Sequence, residues 1–181
     1  MSQQEIRDKL AGAIGYLTAN PSEARYTDSP ATARLVDPQG LRTHVAGDDV
    51  GQMATDMPTS VGGGGSSPSP GWYLRAAEAS CVATLIAMRA AQEGAPIEEL
   101  EVTVDSESDD RGILGIGDDI PAGPLRTRIH VRIKSQAADD DDDDIWDPIV
   151  NWAVEHCPVT DAVRRASPMT VRISINTEGS R

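Results

Sequence analysis

One stretch of the sequence constrains the fold more than any other, because from Ser69 to about Gln92 it is almost continuously helix-forming. Ser69 is a good N-cap residue and Pro70 suits the first helical turn, while Gly94 and Pro96 end the pattern. Apolar residues follow one face at positions 74, 77, 81, 85 and 88, and positions 82, 86 and 90 widen it. The sequence therefore predicts a long, central and largely buried helix.

Short segments of alternating apolar and polar residues flank this helix. They predict a small antiparallel meander before it, two longer strands after it and a last strand near the end, at 31–36, 41–45, 51–57, 100–104, 128–133 and 170–175. We expect the polar face of the 128–133 strand to meet water or acidic groups. Strands and helices are segregated rather than arranged as βαβ units, so the predicted fold class is α+β.

Three further helices are predicted at the two ends of the chain. Residues 3–18 carry a narrow apolar stripe that Asn20-Pro21 ends, so residues 1–22 form a helical extension of a domain at 23–181. A second helix is predicted from Asp147-Pro148 to Pro158. A short helix, capped by Thr160, is predicted to follow and to run to about residue 166.

Composition and charge exclude several classes of function. The net charge of −13 disfavours nucleic acid and anionic membranes as partners, because both are bound through clustered Lys and Arg. No apolar run approaches the roughly 20 residues of a membrane helix, and the N-terminus is polar. We therefore expect a cytoplasmic protein with reduced thiols.

The most acidic segment is the run of six aspartates from Asp139 to Asp144. Like charges in a row repel one another and favour water, which predicts a solvated loop. A calcium site is the alternative, but calcium loops space their ligands at alternate positions around a glycine turn.

The other candidate motifs are weak. The glycine run 62–65 lacks the Lys-Ser/Thr of a P-loop, and no G-x-S-x-G motif is present. His44, His130 and His156 show no metal-ligand spacing. We expect no metal and no bound cofactor.

Two cysteines remain as the candidates for chemistry. Cys81 lies deep in the long helix, where a free cysteine is most often a small buried hydrophobic residue. It is also about three turns from the helix N-terminus, so a reactive thiolate there would need a cation from elsewhere in the fold. Cys157 stands where a helix breaks before proline, a position that leaves both interpretations open.

The sequence from Ser67 to Ala91, together with the later string WAVEHCPVTDAVRRA, resembles the OsmC/Ohr family of osmotically inducible and organic-hydroperoxide-resistance proteins. The resemblance runs from roughly Ala31 to Ile175 and implies antiparallel sheets packed around a long central helix in an intertwined homodimer. It implies a thiol peroxidase in which Cys81 attacks the hydroperoxide, Cys157 resolves the product to a disulfide, and an external dithiol is the reductant.

Two positions depart from the family pattern. A glutamate follows the motif proline in the hydroperoxide-resistance branch, and Gly71 stands there in this chain. The activating arginine comes from the early hairpin in the family, where Arg42, or Arg34 as the alternative, is the candidate. Glu78 could replace the missing carboxylate, although we expect it to be a partly exposed or arginine-paired helix residue. The alternative function is a non-catalytic dimer that binds a small molecule or responds to redox state.

Overall fold

The computed structural model describes residues 2–37, 39–47, 51–135 and 143–175, with side chains from 145 onward in the last range. The helices are α1 Gln3–Ala19, α2 Pro70–Glu93, α3 Asp110–Ile113, α4 Asp143–His156 and α5 Pro158–Arg164. The strands are β1 Thr32–Leu35, β2 Thr43–Ala46, β3 Met53–Thr55, β4 Glu99–Glu107 and β5 Arg126–Lys134. All strand pairs are antiparallel, which confirms the predicted α+β class.

The central helix α2 begins and ends where the sequence predicts. The Ser69 hydroxyl accepts a hydrogen bond from the Trp72 amide at 3.2 Å, and Gly94 ends the helix in the left-handed conformation at φ 75°. The most deeply buried stripe of α2 contains positions 78, 82, 86 and 90, whereas Cys81 and Leu85 are only partly buried. The buried face is therefore rotated by one position from the predicted one, toward the side on which α4 packs.

The core lies between α2, α4 and the pair β4-β5. Ile86, Ile149 and Ala153 are at most 2% exposed, and the apolar face of β4-β5 packs against them, with Val102 opposite Val131. The other face of the pair carries ion pairs, such as Arg128–Asp105 at 2.6 Å and Arg132–Glu101 at 2.7 Å. This confirms the expectation that the polar face of β5 meets acidic groups.

The predicted meander is present as a sheet of order β1-β2-β3, and a glycine-rich loop joins it to α2. In that loop the Asp56 carboxylate accepts hydrogen bonds from the amides of Met57, Gly64 and Ser66 and from the Ser66 hydroxyl. The bonds from Ser66 are the main cause that lowers the pKa of Asp56 to about 2. The amides that resemble a phosphate cradle are thus occupied by a carboxylate of the chain itself.

Helix α1 is present as predicted and contacts the C-terminal end of α2. The Arg7 guanidinium donates to the Ala91 carbonyl at 2.7 Å, and the side-chain amide of Gln3 donates to the Ala95 carbonyl at 2.9 Å. The apolar stripe contributes little, since Ile14 is 53% exposed. The assignment of residues 1–22 as a separate extension stays a prediction.

Two predicted elements differ in the structure. Helix α4 begins at Asp143 rather than at Asp147-Pro148, so Pro148 lies inside it. Residues 170–175 form no strand, and Val171, Ile173 and Ile175 are exposed. A strand needs a neighbour to bond, and the described residues place none beside this segment. The solvated loop predicted at Asp139–Asp144 lies outside the described residues, apart from the backbone of 143 and 144 in α4.

Candidate functional site

The two cysteines, far apart in sequence, meet where α2 passes the junction between α4 and α5. Both are free thiols, and each is a direct hydrogen-bonding neighbour of the other. Cys157 is completely buried, whereas Cys81 is half-buried. The amide of Val159 also donates toward both sulfurs. The structure therefore brings together the two residues that the sequence singled out.

Cys157 is the N-cap of α5. Its sulfur accepts a hydrogen bond from the Thr160 amide at 3.4 Å, and Pro158 occupies the first helical position. The prediction that Thr160 caps this helix is wrong, because the cap lies three residues earlier. A thiol here takes the place that a serine or threonine hydroxyl usually holds. Thr160 instead supplies the amide that the sulfur satisfies.

The two thiols differ in acidity because they have different neighbours. Burial raises the pKa of Cys81, and its interaction with Cys157 raises it further, against a smaller lowering effect of the Val159 amide. Burial also raises the pKa of Cys157, but hydrogen bonds from the hydroxyl and amide of Thr160, together with those from Cys81 and Val159, outweigh it. The net effect lowers the pKa of Cys157, so this sulfur ionises more readily than Cys81.

A buried carboxylate lies beside the thiol pair. Glu78, one helical turn before Cys81, is 3% exposed, and its Oε1 accepts a hydrogen bond from the Thr160 hydroxyl at 3.3 Å. Within the described ranges Glu78 forms no ion pair. The expectation of a partly exposed or arginine-paired residue is therefore wrong. The i−3 spacing on α2 turns Glu78 into the core, toward the start of α5.

An apolar groove runs along α5 close to the thiols. Its volume is about 500 Å³, and its walls are formed by Leu74, Pro124, Pro158, Val159, Ala162 and Val163. A neighbouring cavity of about 280 Å³ is more polar, since Glu78, Thr160, Arg126 and Arg164 contribute to it. The groove can accept an apolar group, and the cavity borders the buried Glu78 carboxyl.

The two candidate arginines lie in the meander. Arg34 is in β1, and Arg42 directly precedes β2, where its carbonyl accepts a hydrogen bond from the Val36 amide at 2.9 Å. Within the described part of the chain, neither side chain is among the groups that shift the pKa of Cys81. Gly71, at the position of the missing glutamate, lines a cavity of about 230 Å³ together with Arg75 and Glu78.

Two further properties concern the described residues alone. No three of their His, Cys, Asp and Glu side chains cluster closely enough to hold a metal ion. None of their helices combines the length and the apolar character that crossing a membrane requires.

Sequence reasoning missed Thr160 as a member of this site. A usable signal was present. A cysteine directly before a helix-starting proline stands at the N-cap position, and the usual donor to an N-cap side chain is the backbone amide three residues later, which here belongs to Thr160. The sequence offered no comparable signal for the contact between Thr160 and Glu78, because 82 residues separate them.

Comparison with protein families gives one match. A family model described as OsmC-like protein matches residues 63–172, which is more than half of the chain. The matched range contains both cysteines, Glu78 and Thr160. A search of curated proteins gives no match.

Solved structures share the fold at low sequence identity. An OsmC-like protein from Mycoplasma pneumoniae is 16% identical with a TM-score of 0.61, over 77% of this chain and 89% of that one. An organic hydroperoxide resistance protein from Elizabethkingia anophelis is 18% identical with a TM-score of 0.58, over 77% and 90%. An organic hydroperoxide resistance protein OsmC from Legionella pneumophila is 20% identical with a TM-score of 0.55, over 77% and 91%.

Proposed function

Because the chain belongs to the OsmC-like protein family, we propose that it is a thiol peroxidase that reduces organic hydroperoxides through Cys81 and Cys157. The observation that carries the proposal is the direct contact of two free thiols beside an apolar groove. The names of the Legionella and Elizabethkingia proteins point to the same substrate class. Hydrogen peroxide, which has no apolar group for the groove, is the poorer substrate.

The proposed reaction has two thiol steps. The Cys81 thiolate attacks one peroxide oxygen, the O–O bond breaks, and the alkoxide takes up a proton and leaves as alcohol. The Cys157 thiolate then attacks the sulfur of the Cys81 sulfenic acid, and hydroxide leaves and becomes water as the disulfide forms. An external dithiol reduces the disulfide, so no bound cofactor is needed. We place this cycle in the cytoplasm, where such dithiols keep thiols reduced.

The division of roles follows from burial and acidity. Cys81 is partly exposed, whereas Cys157 is completely buried and out of reach of a substrate. The lowered pKa of Cys157 suits a resolving thiol, which must be a thiolate when the sulfenic acid forms. The raised pKa of Cys81 is the weak point, because a peroxidatic thiol needs a cation nearby.

We propose that a homodimer supplies this cation. Arg42, or Arg34 as the alternative, would reach Cys81 of the partner subunit from the meander. Exposed apolar residues support such an assembly: Leu35 of β1 is 53% exposed, and Val171, Ile173 and Ile175 are 74 to 81% exposed. An intertwined dimer would cover these side chains and would give residues 170–175 a strand to pair with.

A second candidate function is a non-catalytic dimer that binds a small molecule. Gly71 at the usual glutamate position and the raised pKa of Cys81 favour it, since both weaken activation of the thiol. The groove of about 500 Å³ would then hold a ligand rather than a substrate.

The deciding experiment is a titration of the reduced protein with cumene hydroperoxide, with thiols and disulfide followed by mass spectrometry. We expect rapid, stoichiometric loss of both thiols, and a sulfenic acid trapped on Cys81 in Cys157→Ser. The matched variant Cys81→Ser should leave Cys157 unoxidised over the same period. Oxidation no faster than that of free cysteine would refute the peroxidase and favour the ligand-binding dimer.

A further inference from the structure

We infer that Glu78 and Thr160 are positioning residues that control when Cys157 ionises, because the Glu78 carboxylate and the Cys157 sulfur compete for one hydroxyl proton. The inference rests on the proposed function, in which Cys157 is the resolving thiol. All three side chains are removed from solvent: Cys157 is 0% exposed, and Glu78 and Thr160 are each 3% exposed. Buried polar groups depend on one another for hydrogen bonds, because water cannot replace a missing partner.

The geometry places Thr160 between the other two residues. Its hydroxyl donates to Glu78 Oε1 at 3.3 Å, and its amide donates to Cys157 Sγ at 3.4 Å. The same hydroxyl is also a hydrogen-bonding neighbour of the Cys157 sulfur. A threonine hydroxyl has a single proton, so it can donate to the carboxylate or to the sulfur, but not fully to both.

The charge on Glu78 therefore decides which partner receives the proton. An ionised carboxylate only accepts hydrogen bonds, so it draws the Thr160 hydroxyl toward itself and weakens the hydrogen bond from that hydroxyl to the Cys157 sulfur. A neutral carboxyl group can donate to the hydroxyl oxygen, which frees the hydroxyl proton for a thiolate. The negative charge of Glu78 also disfavours a second negative charge on nearby Cys157. Ionisation of the two residues is thus mutually antagonistic.

No fixed counter-ion removes this antagonism within the described ranges. Three charged groups line the two cavities together with Glu78: Arg75 on α2, Arg126 on β5 and Arg164 on α5. The titratable group linked to Glu78 through Thr160 is Cys157. None of the three arginines forms an ion pair with Glu78 in those ranges, and Arg75 donates to the Ser106 hydroxyl at 3.2 Å instead.

The proton balance of the resolving step shows where this control acts. Cys157 must lose its proton before it attacks Cys81, and the hydroxide that leaves the sulfenic acid gains one. Glu78 and Thr160 end the step unchanged, because they alter only the ease with which the Cys157 thiolate forms. A neutral residue at position 78 therefore eases formation of the Cys157 thiolate and speeds disulfide formation.

The test measures the pKa of Cys157 in a Cys81→Ser background, where it is the single remaining thiol, from the ultraviolet absorbance of the thiolate across pH. The unfolded chain gives the reference pKa. No peroxide is used, so the result is independent of peroxidase activity. We expect Glu78→Gln to lower the pKa of Cys157 by about one unit or more, the effect of one charged hydrogen bond. Thr160→Val should raise this pKa, and Thr160→Ser should restore it.

The double variant separates a shared proton from simple charge repulsion. If Thr160 transmits the effect, Glu78→Gln produces a much smaller pKa shift in the Thr160→Val background than with threonine present. An equal shift in both backgrounds, or a rise in the pKa with Glu78→Gln, would overturn the inference. Circular dichroism checks that each variant is folded, and Thr160→Ala replaces Thr160→Val if the latter is not. With Cys81 present, Glu78→Gln should also speed disulfide formation near pH 7.

Discussion

Cys157 has two roles at the scale of a single residue, because its sulfur is the N-cap of α5 and, in the proposed reaction, the resolving thiol. The Thr160 amide that donates to this sulfur is buried, so water cannot replace the sulfur as its hydrogen-bond acceptor. A purely catalytic cysteine could be removed at little cost in stability. Removal of the Cys157 sulfur should instead destabilise the fold. Substitution by alanine removes both the cap and the thiol, whereas substitution by serine removes the thiol alone.

We predict that Cys157→Ala lowers the free energy of unfolding by about 1–3 kcal/mol, the cost of one buried unsatisfied donor. Cys157→Ser should cost less, since its hydroxyl can accept the same hydrogen bond, although it removes the resolving thiol equally well. Urea denaturation of the reduced proteins measures both values. Equal losses in the two variants would contradict the capping role of the sulfur.

Single residues also show how far the sequence could predict the site. Cys81 and Cys157 could be chosen from the sequence because thiols are rare here and the surrounding strings resemble a family. The burial of Glu78 could not, because it depends on where α5 crosses α2. Periodicity alone placed Glu78 at the margin of the apolar face, whereas the packing of α4 and α5 made it part of the core.

At the scale of elements, the fully buried part of the core lies largely in the contact between α2 and α4. Ile86 of α2 and Ile149 of α4 are the largest buried side chains of this contact, at 0% and 2% exposed. This contact also fixes the thiols, since Cys81 lies on α2 and Cys157 follows the last residue of α4. Loss of core packing should therefore disturb the site as well as the fold.

We predict that Ile86→Ala lowers the free energy of unfolding by about 2–5 kcal/mol, because it leaves a cavity in the core. The matched control is Ile14→Ala on α1, where the side chain is 53% exposed and the change should stay within about 0.5 kcal/mol. Thermal and chemical denaturation provide the comparison. Similar effects of the two substitutions would show that α2 is not the centre of the core.

Elements whose signals are local were predicted well. The start of α2 at Ser69-Pro70 and its end at Gly94 depend on neighbouring residues, and the structure has both. The predicted start of α4 and the predicted strand at 170–175 were wrong. Pro148 resembles a first-turn proline but lies inside the helix, and residues 170–175 have the alternation of a strand without a neighbour in the described chain. Alternation in a sequence shows which face of a segment is apolar, but it does not show whether a neighbouring strand is present to cover that face.

For the whole molecule, the main question is the surface that the single chain leaves exposed. Val171, Ile173 and Ile175 alternate with polar residues and are 74 to 81% exposed, and apolar groups on the meander such as Leu35 are exposed as well. A second subunit would remove this surface from water and would bring a new set of arginines toward the thiols.

We predict a particle of twice 19.2 kDa by light scattering. Ile173→Asp should weaken the dimer at least about tenfold, because it loses apolar burial and places a charge in the interface. Ser174→Asp is the matched control, since alternation points position 174 to the opposite face, and it should leave the dimer intact. A monomeric parent protein, or equal effects of the two substitutions, would refute the proposed assembly.

The sulfur cap of α5 makes one backbone proton a built-in reporter of the chemical state of Cys157. The Thr160 amide donates to Cys157 Sγ at 3.4 Å, and that sulfur would in turn be a thiol, a thiolate and half of a disulfide. These three states differ as hydrogen-bond acceptors, so the amide resonance of Thr160 should shift with each of them. A nitrogen-15 spectrum could therefore follow turnover from a group that never touches the substrate.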